Sequence, residues 1–407
     1  MKYLTAKQLS AVWGVTPRRI QDLCKSGAIT GAVRHGREWL IPAHAQRPTD
    51  GRKAGGEKGS SAPAETLSFI DMQLHYTEPG SAAALLASLE KDSPTYDLFD
   101  MQIAMHRGNY EKAAAVLQQY QGRELTLAQR INVGTHMGLC AIAKGDVSAW
   151  KNAQAYLIAC TPESEEQRRV LDFWIAAGAS VVYDTTFFPD WFRRGDFSPL
   201  PKEQFPAARL YYVKYLYIIA HEENGLFADR RETLEFLHIL PLIIEPLLAQ
   251  TRAEGLLIPE LFLCLNCAAA YHIIGQDDLA NSHLDRALEL ALPDRLYSPL
   301  AEYRHRLGHL LDDKLAQTDT QALTEIKKLS KMLQSGWICL HNAICNRTVS
   351  ADLSPRELQV AKLAVYGLSN KEIADRLNIT VNSVKQTLRG AMDKTGAESR
   401  NELRHFL

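Results

Sequence analysis

A stretch near the amino terminus, residues 47–66, divides this chain of 407 residues into parts that must fold separately. It reads RPTDGRKAGGEKGSSAPAET, with four Gly, two Pro and almost no apolar side chain. Such a segment cannot bury enough apolar surface to offset the entropy lost on ordering, so we interpret it as a flexible linker. A softer break falls at residues 346–352. The sequence therefore predicts a unit at residues 1–46, a linker at 47–66, a domain at 67–345 and a C-terminal domain at 346–407.

The formal net charge of −1 hides three blocks of different sign. Residues 1–60 hold eleven Lys or Arg against four Asp or Glu, which gives +7. Residues 351–407 hold nine against seven, which gives +2 and leaves the middle at −10. Basic ends on an acidic body favour nucleic-acid binding by the ends.

The remaining bulk features exclude several classes of protein. The start MKYLTAKQLSAVWG has no apolar region of the secretory-signal type. The sequence also lacks a run of about 18 uncharged apolar residues, the pattern that would predict a membrane span. Seven cysteines, an odd and low number for this length, favour reduced thiols over a disulfide scaffold. We therefore expect a cytoplasmic protein without a membrane partner.

The C-terminal segment predicts several short helices with clear start signals. Ser354 with Glu357 and Ser369 with Glu372 have capping-box spacing, and they open helices that end near Gly367 and Leu377. After a tight turn at residues 378–379, Thr380 caps a longer helix that reaches about Lys394. Ser399 with Glu402 begins a fourth helix. Two short helices joined by a tight turn are typical of the helix-turn-helix.

These residues resemble the LuxR-type DNA-binding domain over about 54 residues. The matching positions are Glu357, Gly367, Leu368, Ser369, Asn370, Lys371, Glu372, Ile373, Ala374, Leu377, Ile379, Val384, Lys385, Lys394, Gly396 and Arg400. The resemblance implies a four-helix unit whose third helix enters the major groove of double-stranded DNA. It implies that Lys385, Gln386 and Arg389 face base edges. It also implies that Lys371, Asn382 and Ser383 lie near phosphates. Thr387, Thr395 and Gly390 depart from the family pattern, which bears on sequence preference more than on fold.

The N-terminal unit predicts two helices and a hairpin. Thr5 with Gln8 opens the helix AKQLSAVW, and Thr16 followed by Pro17 opens a second helix that ends near Ser26. The segment GAVRHGREWLIP alternates apolar and polar residues around Gly36, which predicts a two-stranded β-hairpin.

Helix, turn, helix and hairpin form the winged helix-turn-helix arrangement, and the segment resembles the MerR/excisionase-like group. The resemblance implies DNA contacts from two sets of side chains. The helical set is Thr16, Arg18, Arg19 and Gln21. The set on the wing is Arg34, His35 and Arg37. The alternative is a protein-binding winged helix with a solvated basic face.

The middle domain contains three similar segments: AMHRGNYEKAAAVLQQY, AIAKGDVSAWKNAQAYL and YHIIGQDDLANSHLDRALELA. Each predicts a helix, a Gly-containing turn and an Ala-rich second helix. Gly108 and Gly145 are 37 residues apart, close to the tetratricopeptide period of about 34. This part resembles a degenerate tetratricopeptide-like solenoid, so the predicted fold class is mainly all-α.

An aromatic segment after the proline-rich loop of the middle domain is a candidate effector site. We single out Trp191, Arg193, Tyr212 and Tyr215, since solenoids present concave grooves to peptides or small molecules. The same helical spacing also suits plain core packing, and that alternative stays open.

Other motifs give little support for metal or catalytic chemistry. Cys264 and Cys267 form a CxxC inside an apolar helix, which favours two buried thiols over a redox or metal pair. Cys339, His341 and Cys345 have loose ligand spacing. No nucleotide-binding or hydrolase motif is present in the sequence, so we expect no cofactor, no metal and no enzyme activity.

These features together predict a sequence-specific DNA-binding transcriptional regulator. Its partners are expected to be double-stranded DNA, a second copy in a homodimer, and a small-molecule or peptide effector of the middle domain. The alternative is a helical-repeat interaction protein whose terminal domains only localise it.

Overall fold

The computed structural model of the protein describes residues 3–13, 16–25, 29, 33–35, 38–42, 75–91, 93–120, 122–221, 230–345, 353–395, 397 and 399–403. The chain forms two compact units, Met1–Ala64 and Glu65–Leu407. The predicted linker at 47–66 lies outside the described residues, as does the predicted break at 346–352. The fold is mainly all-α, as predicted from the sequence.

The first unit combines two helices with a small antiparallel sheet. Its elements are β1 (Tyr3–Thr5), α1 (Ala6–Trp13), α2 (Pro17–Lys25), β2 (Val33–His35) and β3 (Glu38–Pro42). Strand β3 lies between β1 and β2. Tyr3 pairs with Pro42 and Val33 with Leu40. The helices and hairpin strands occur at the predicted positions, whereas sequence reasoning did not predict β1.

The core of the first unit consists of apolar side chains from both helices and from β3. Leu9, Ile20 and Ile41 are almost fully buried. Leu9 belongs to α1 and Ile20 to α2, so the two helices meet over the sheet residue Ile41.

The second unit consists of helices in the part that the structure describes. The elements up to residue 221 are α3 (Ala82–Ala87), α4 (Pro94–His106), α5 (Tyr110–Gln119), α6 (Leu127–Lys144), α7 (Val147–Ile158), α8 (Glu165–Ser180), α9 (Asp190–Arg193), a 3-10 turn at Lys202–Gln204 and α10 (Phe205–His221). The elements from residue 230 are α11 (Arg230–Ala253), α12 (Leu257–Ile274), α13 (Asp277–Ala291), α14 (Tyr297–Leu307), α15 (His309–Thr318), α16 (Thr320–Cys345), α17 (Pro355–Val365), α18 (Asn370–Leu377) and α19 (Val381–Thr395).

The three repeated segments each fold as a helix, a turn at glycine and a second helix. Gly108, Gly145 and Gly275 have φ values of 86°, 66° and 88°, a left-handed conformation that suits glycine because it has no Cβ. The next helix is then capped by a side chain in two of the three: Asn109 accepts from the amide of Lys112, and Asp146 from that of Ala149. The tetratricopeptide-like relationship stays a prediction.

Helix α12 lies at the centre of the second unit. Among the described residues it is the one helix long and apolar enough to cross a membrane by length and composition, and 89% of it is buried inside the fold. Its neighbours are α11 and α13, which pack along it. Its apolar character is therefore accounted for by the position of a core helix.

The C-terminal helices begin and end where the sequence predicts. The amide of Glu357 donates to Ser354 Oγ at 3.3 Å and that of Glu372 to Ser369 Oγ at 3.2 Å, and both glutamates complete their capping boxes. Asn378 ends α18 with a φ of 50°, which makes the tight turn before α19. The fourth predicted helix is a turn over residues 399–403, and residues 404–407 lie outside the described part.

These C-terminal helices pack against the helical body within the second unit. The hydroxyls of Tyr217, on α10, and Tyr366, after α17, are 2.6 Å apart. Arg376, on α18, lies 3.2 Å from His272 and 3.4 Å from Asp277. The docking therefore uses α17 and α18 and leaves the polar side of α19 exposed.

Candidate nucleic-acid interface and a buried polar cavity

Helix α19 is held by one apolar face and exposes the other. Val384, Leu388 and Ala391 recur at helical spacing and are buried. Lys385 and Arg389, four residues apart, lie on the exposed side. A helix anchored in this way can carry exposed donors into a groove without losing its packing.

The exposed side of α19 presents groups suited to base edges. Lys385, Gln386 and Arg389 are all exposed, as the sequence interpretation requires. An arginine can donate two hydrogen bonds to guanine, and a glutamine can pair with adenine. The exposed face therefore offers hydrogen-bond groups of the kind that base edges can accept or donate to.

The predicted phosphate contacts cluster at the amino-terminal ends of α18 and α19. Lys371 and Asn382 are exposed. Ser383 is half-buried, and its hydroxyl lies 2.8 Å from that of Thr380, the cap of α19. Helix amino termini attract anions, so these ends suit a phosphate backbone.

Glu357, predicted as part of a capping box, and Arg400 also make contacts between helices that the sequence did not predict. Glu357 accepts from Ser354 N–H and from Lys394 Nζ, both at 2.8 Å, and so ties the start of α17 to the end of α19. The Lys394 hydrogen bond and the Ser354 bonds lower the pKa of Glu357 to about 2. Arg400 donates to the Ala364 carbonyl at 3.1 Å and to Asn370 Oδ1 at 3.0 Å.

In the first unit the described DNA-binding candidates lie on the surface. Thr16, Arg18, Gln21 and Arg34 are exposed. Residue 37 and the side chains of residues 19 and 35, which complete the predicted set as Arg37, Arg19 and His35, lie outside the described part. Thr16 precedes α2, Arg18 and Gln21 lie on α2, and Arg34 lies on β2.

The predicted effector residues of the middle domain lie in an aromatic cluster. The rings of Phe192 and Tyr212 are 5.8 Å apart, and Tyr215 packs on Phe188 at 5.4 Å. Trp191 lies beside Phe192 with ring centroids 6.0 Å apart. This arrangement is typical of a core, and an effector role for it stays a prediction.

Arg193, the fourth predicted effector residue, is bound to the backbone of its own loop. Its guanidinium donates to the carbonyls of Phe188 at 2.8 Å and of Thr185 and Thr186 at 3.1 Å. Arg193 is the last residue of α9, so these bonds hold the loop that precedes α9 against the end of that helix. The geometry therefore gives Arg193 a structural task.

A cavity of about 190 Å³ lies between the helical body and the C-terminal domain. Helices α4, α5, α6, α10, α12, α14, α16 and α17 contribute to its wall. Its charged groups are Lys214, Glu302, Arg306 and Lys362. No sequence motif marks this cavity, because its lining residues are scattered over more than 250 positions.

Burial keeps the histidines of the cavity wall neutral. Desolvation lowers the pKa of His106 and of His136 to about 4, and it lowers that of His305 well below its usual value. Desolvation, and then the charge of Arg306, lowers the pKa of Lys362 to about 7. Arg306 therefore keeps its positive charge, whereas burial makes Lys214 and Lys362 give up their protons more readily than a free lysine does.

One group of potential metal ligands occurs among the described residues: Glu245, Cys267 and His283, whose donor atoms lie within 4.8 Å of one another. His283 Nε2 lies 2.8 Å from Glu245 Oε1. Burial raises the pKa of Cys267 above its usual range and that of Cys264 to about 12, so both sulfurs of the CxxC are thiols. Thiols are poor ligands, which fits the interpretation as core cysteines.

The side chains of Cys339, His341 and Cys345, near the end of α16, lie against backbone carbonyls. Cys339 Sγ donates to the Gly145 carbonyl at 3.4 Å, and Cys345 Sγ donates to the Val182 carbonyl at 3.3 Å. His341 Nδ1 lies 2.8 Å from the same Val182 carbonyl. These bonds fasten α16 to the ends of α6 and α8.

Comparison with known proteins identifies the C-terminal part. Residues 351–407 match the family model described as GerE, bacterial regulatory proteins, luxR family. Residues 351–407 form a LuxR-family helix-turn-helix domain. The LuxR-type resemblance is thereby confirmed for this part of the chain.

One curated relative is the response regulator Rre1 of Synechocystis sp., which is 41% identical over 58 residues. That alignment covers 14% of this chain and spans 25% of the relative. No solved structure matches the chain. The winged-helix and tetratricopeptide-like resemblances of the other parts stay predictions.

Proposed function

We propose that the protein is a sequence-specific DNA-binding transcriptional regulator in which α19 of the LuxR-family domain reads base edges. The observation that carries the proposal is the exposed set of Lys385, Gln386 and Arg389 on a helix whose opposite face is buried. The LuxR-family match and the response-regulator relative support it. Lys371, Asn382 and Ser383 would contact phosphates beside it.

In this proposal the other parts adjust the DNA contact. The helical body senses an effector or mediates assembly, and the first unit supplies a second contact with DNA or with a protein. A homodimer would bring two α19 helices to paired half-sites and multiply modest single-site affinities. No catalytic step is assigned to any residue.

The experiment is a gel shift with fragments selected by the full-length protein from genomic DNA. Arg389→Ala is expected to weaken the specific shift about 5- to 150-fold, since a bidentate arginine–guanine contact is worth about 1–3 kcal/mol. Lys385→Ala is expected to act in the same direction. Arg169→Ala and Lys331→Ala remove the same charges from exposed positions of the body and serve as matched controls.

Phosphate contacts are separated from base contacts by salt. Lys371→Ala is expected to weaken specific and random fragments alike and to reduce the salt dependence of binding by about one counterion. If the double variant Lys385→Ala/Arg389→Ala kept every specific shift, α19 would not be the reader and the proposal would fail.

A further inference from the structure

The cavity between the body and the LuxR-family domain is large enough for a ligand. Its volume is about 190 Å³, and a water needs about 10–15 Å³ by the same measure, so it would hold about a dozen or more waters. Helix α17 of the LuxR-family domain supplies Leu358 and Lys362 to the wall. An occupant would therefore touch both the body and the DNA-binding domain.

One side of the cavity carries more positive than negative charge. Lys214, Arg306 and Lys362 face it, against the single carboxylate Glu302. Lys214 Nζ lies 4.0 Å from Glu302 Oε1, and the glutamate is half exposed. Glu302 can therefore form an ion pair with at most one of the three cations.

Arg306 is positioned by aromatic groups. Its Nη2 donates to the Tyr183 hydroxyl at 3.0 Å, and its guanidinium carbon lies 4.0 Å above the ring of Tyr217. Tyr183 has a φ of 68°, a conformation that non-glycine residues rarely adopt. Among the described residues, no carboxylate lies within ion-pair distance of Arg306 or of Lys362. Partly buried cations without a counter-ion cost free energy, part of which an anionic ligand would recover.

The rest of the wall is apolar or aromatic. Phe262, Leu333, Trp337 and Ile338 line it, with Leu139 and Ile142 beside them. Trp337 is fixed by a hydrogen bond from its indole nitrogen to the Val181 carbonyl at 2.8 Å. A ligand that fills this space would carry an apolar part as well as a charge.

We propose that this cavity binds a small organic anion with an aromatic or branched apolar part, whose carboxylate or phosphate lies between Arg306, Lys362 and Lys214. Its regulatory meaning rests on the proposed function, since Lys362 belongs to the DNA-binding domain. Ligand contact with Lys362 would draw α17 toward α14 and so change how the LuxR-family domain sits on the body.

The test is isothermal titration calorimetry on the full-length protein with 3-phenylpropionate, and with 3-phenylpropanamide as its neutral counterpart. The carboxylate is expected to bind with a dissociation constant of millimolar order, as suits a fragment of this size, and the amide at least tenfold more weakly. Equal binding of the two, or binding of neither up to about 10 mM, would overturn the proposal.

Variants locate the binding. Lys362→Met is expected to weaken 3-phenylpropionate binding by about tenfold or more without lowering the melting temperature, since it removes the charge and keeps the chain length. Lys214→Met provides a second test on a different helix, and Lys331→Met is the exposed control. Unchanged affinity in both cavity variants would place the binding elsewhere and contradict the proposal.

The calorimetry contains no DNA, so the two proposals fail separately. Anion binding in the cavity without any specific gel shift would leave this site standing and remove the regulator function. A specific gel shift that depends on Arg389, together with no anion binding, would support the regulator function and remove the anion site.

Discussion

Replacement of Lys362 by methionine should make the protein more stable. Lys362 lies at the wall of the cavity, and burial, followed by the charge of Arg306, lowers its pKa from 10.5 to about 7. Each tenfold change in a proton equilibrium is worth about 1.4 kcal/mol, so a fully enclosed ammonium would cost the fold about 4–5 kcal/mol. Solvent still reaches part of Lys362. We therefore expect Lys362→Met to raise the free energy of unfolding by about 1–3 kcal/mol at pH 7.

The stability gained in Lys362→Met should depend on pH in a way that identifies its cause. The folded pKa lies below the unfolded pKa, so between about pH 7 and 10.5 the unfolded chain binds more protons at this position. Wild-type stability therefore rises with pH relative to the variant in this window. The advantage of the variant should be complete at pH 7 and below, and it should disappear as pH approaches 10.5.

The assay is urea unfolding of the wild type and of Lys362→Met at pH 6, 7, 8, 9 and 10, with Lys331→Met as the exposed control. The other groups near Lys362 are the same in both proteins, so their titration largely cancels in the difference. These groups are Tyr183, Lys214, Tyr217, Glu302, His305, Arg306 and Tyr366. A loss of stability in Lys362→Met at every pH would show that the ammonium is satisfied within the fold, and the reasoning would be refuted.

Three further predictions concern the packing of the second unit. In Gly336→Ala the new Cβ would lie 1.8 Å from the Ile142 carbonyl oxygen, so we expect a loss of about 2–4 kcal/mol in thermal unfolding, and unchanged melting would contradict this close approach. The pKa of Glu357 lies well below its usual value, so the carboxylate stabilises the fold above about pH 4.5 and this contribution fades as pH falls toward 2. Glu357→Gln should therefore lower the melting temperature at pH 7 and flatten its acid dependence, and a parallel acid profile would count against the Lys394 contact. Asp277→Asn should weaken the docking of Arg376 and raise hydrogen exchange in α18, while equal exchange rates in α18 would rule out a holding role for this contact.

Local chemistry made the helix boundaries predictable. Ser354, Ser369 and Thr380 cap their helices through bonds that span three residues, so their positions can be read directly from the chain. The same reasoning placed the glycine turns at Gly108 and Gly145. Strand β1 escaped prediction because three residues carry too little alternation to be recognised without their partner β3.

The cavity could not be predicted, because it exists only where eight helices meet. Lys362 lies within the LuxR-family segment and Arg306 within the body, and nothing in the spacing of the two residues connects them. The effector site was predicted around Trp191 because its aromatic residues lie close together in the sequence. In the structure Arg193 instead has its donors bound to backbone carbonyls.

The central claim is that α19 reads DNA sequence, and selection of bound sequences from a random DNA library tests it most directly. The full-length wild type should enrich one motif, and Arg389→Ala should enrich the same motif with its preference lost at one base pair, because one side chain addresses one base pair. Arg169→Ala should return the wild-type motif. If wild type and Arg389→Ala enriched identical motifs, or if the wild type enriched none, the assignment of α19 as the reading helix would be contradicted.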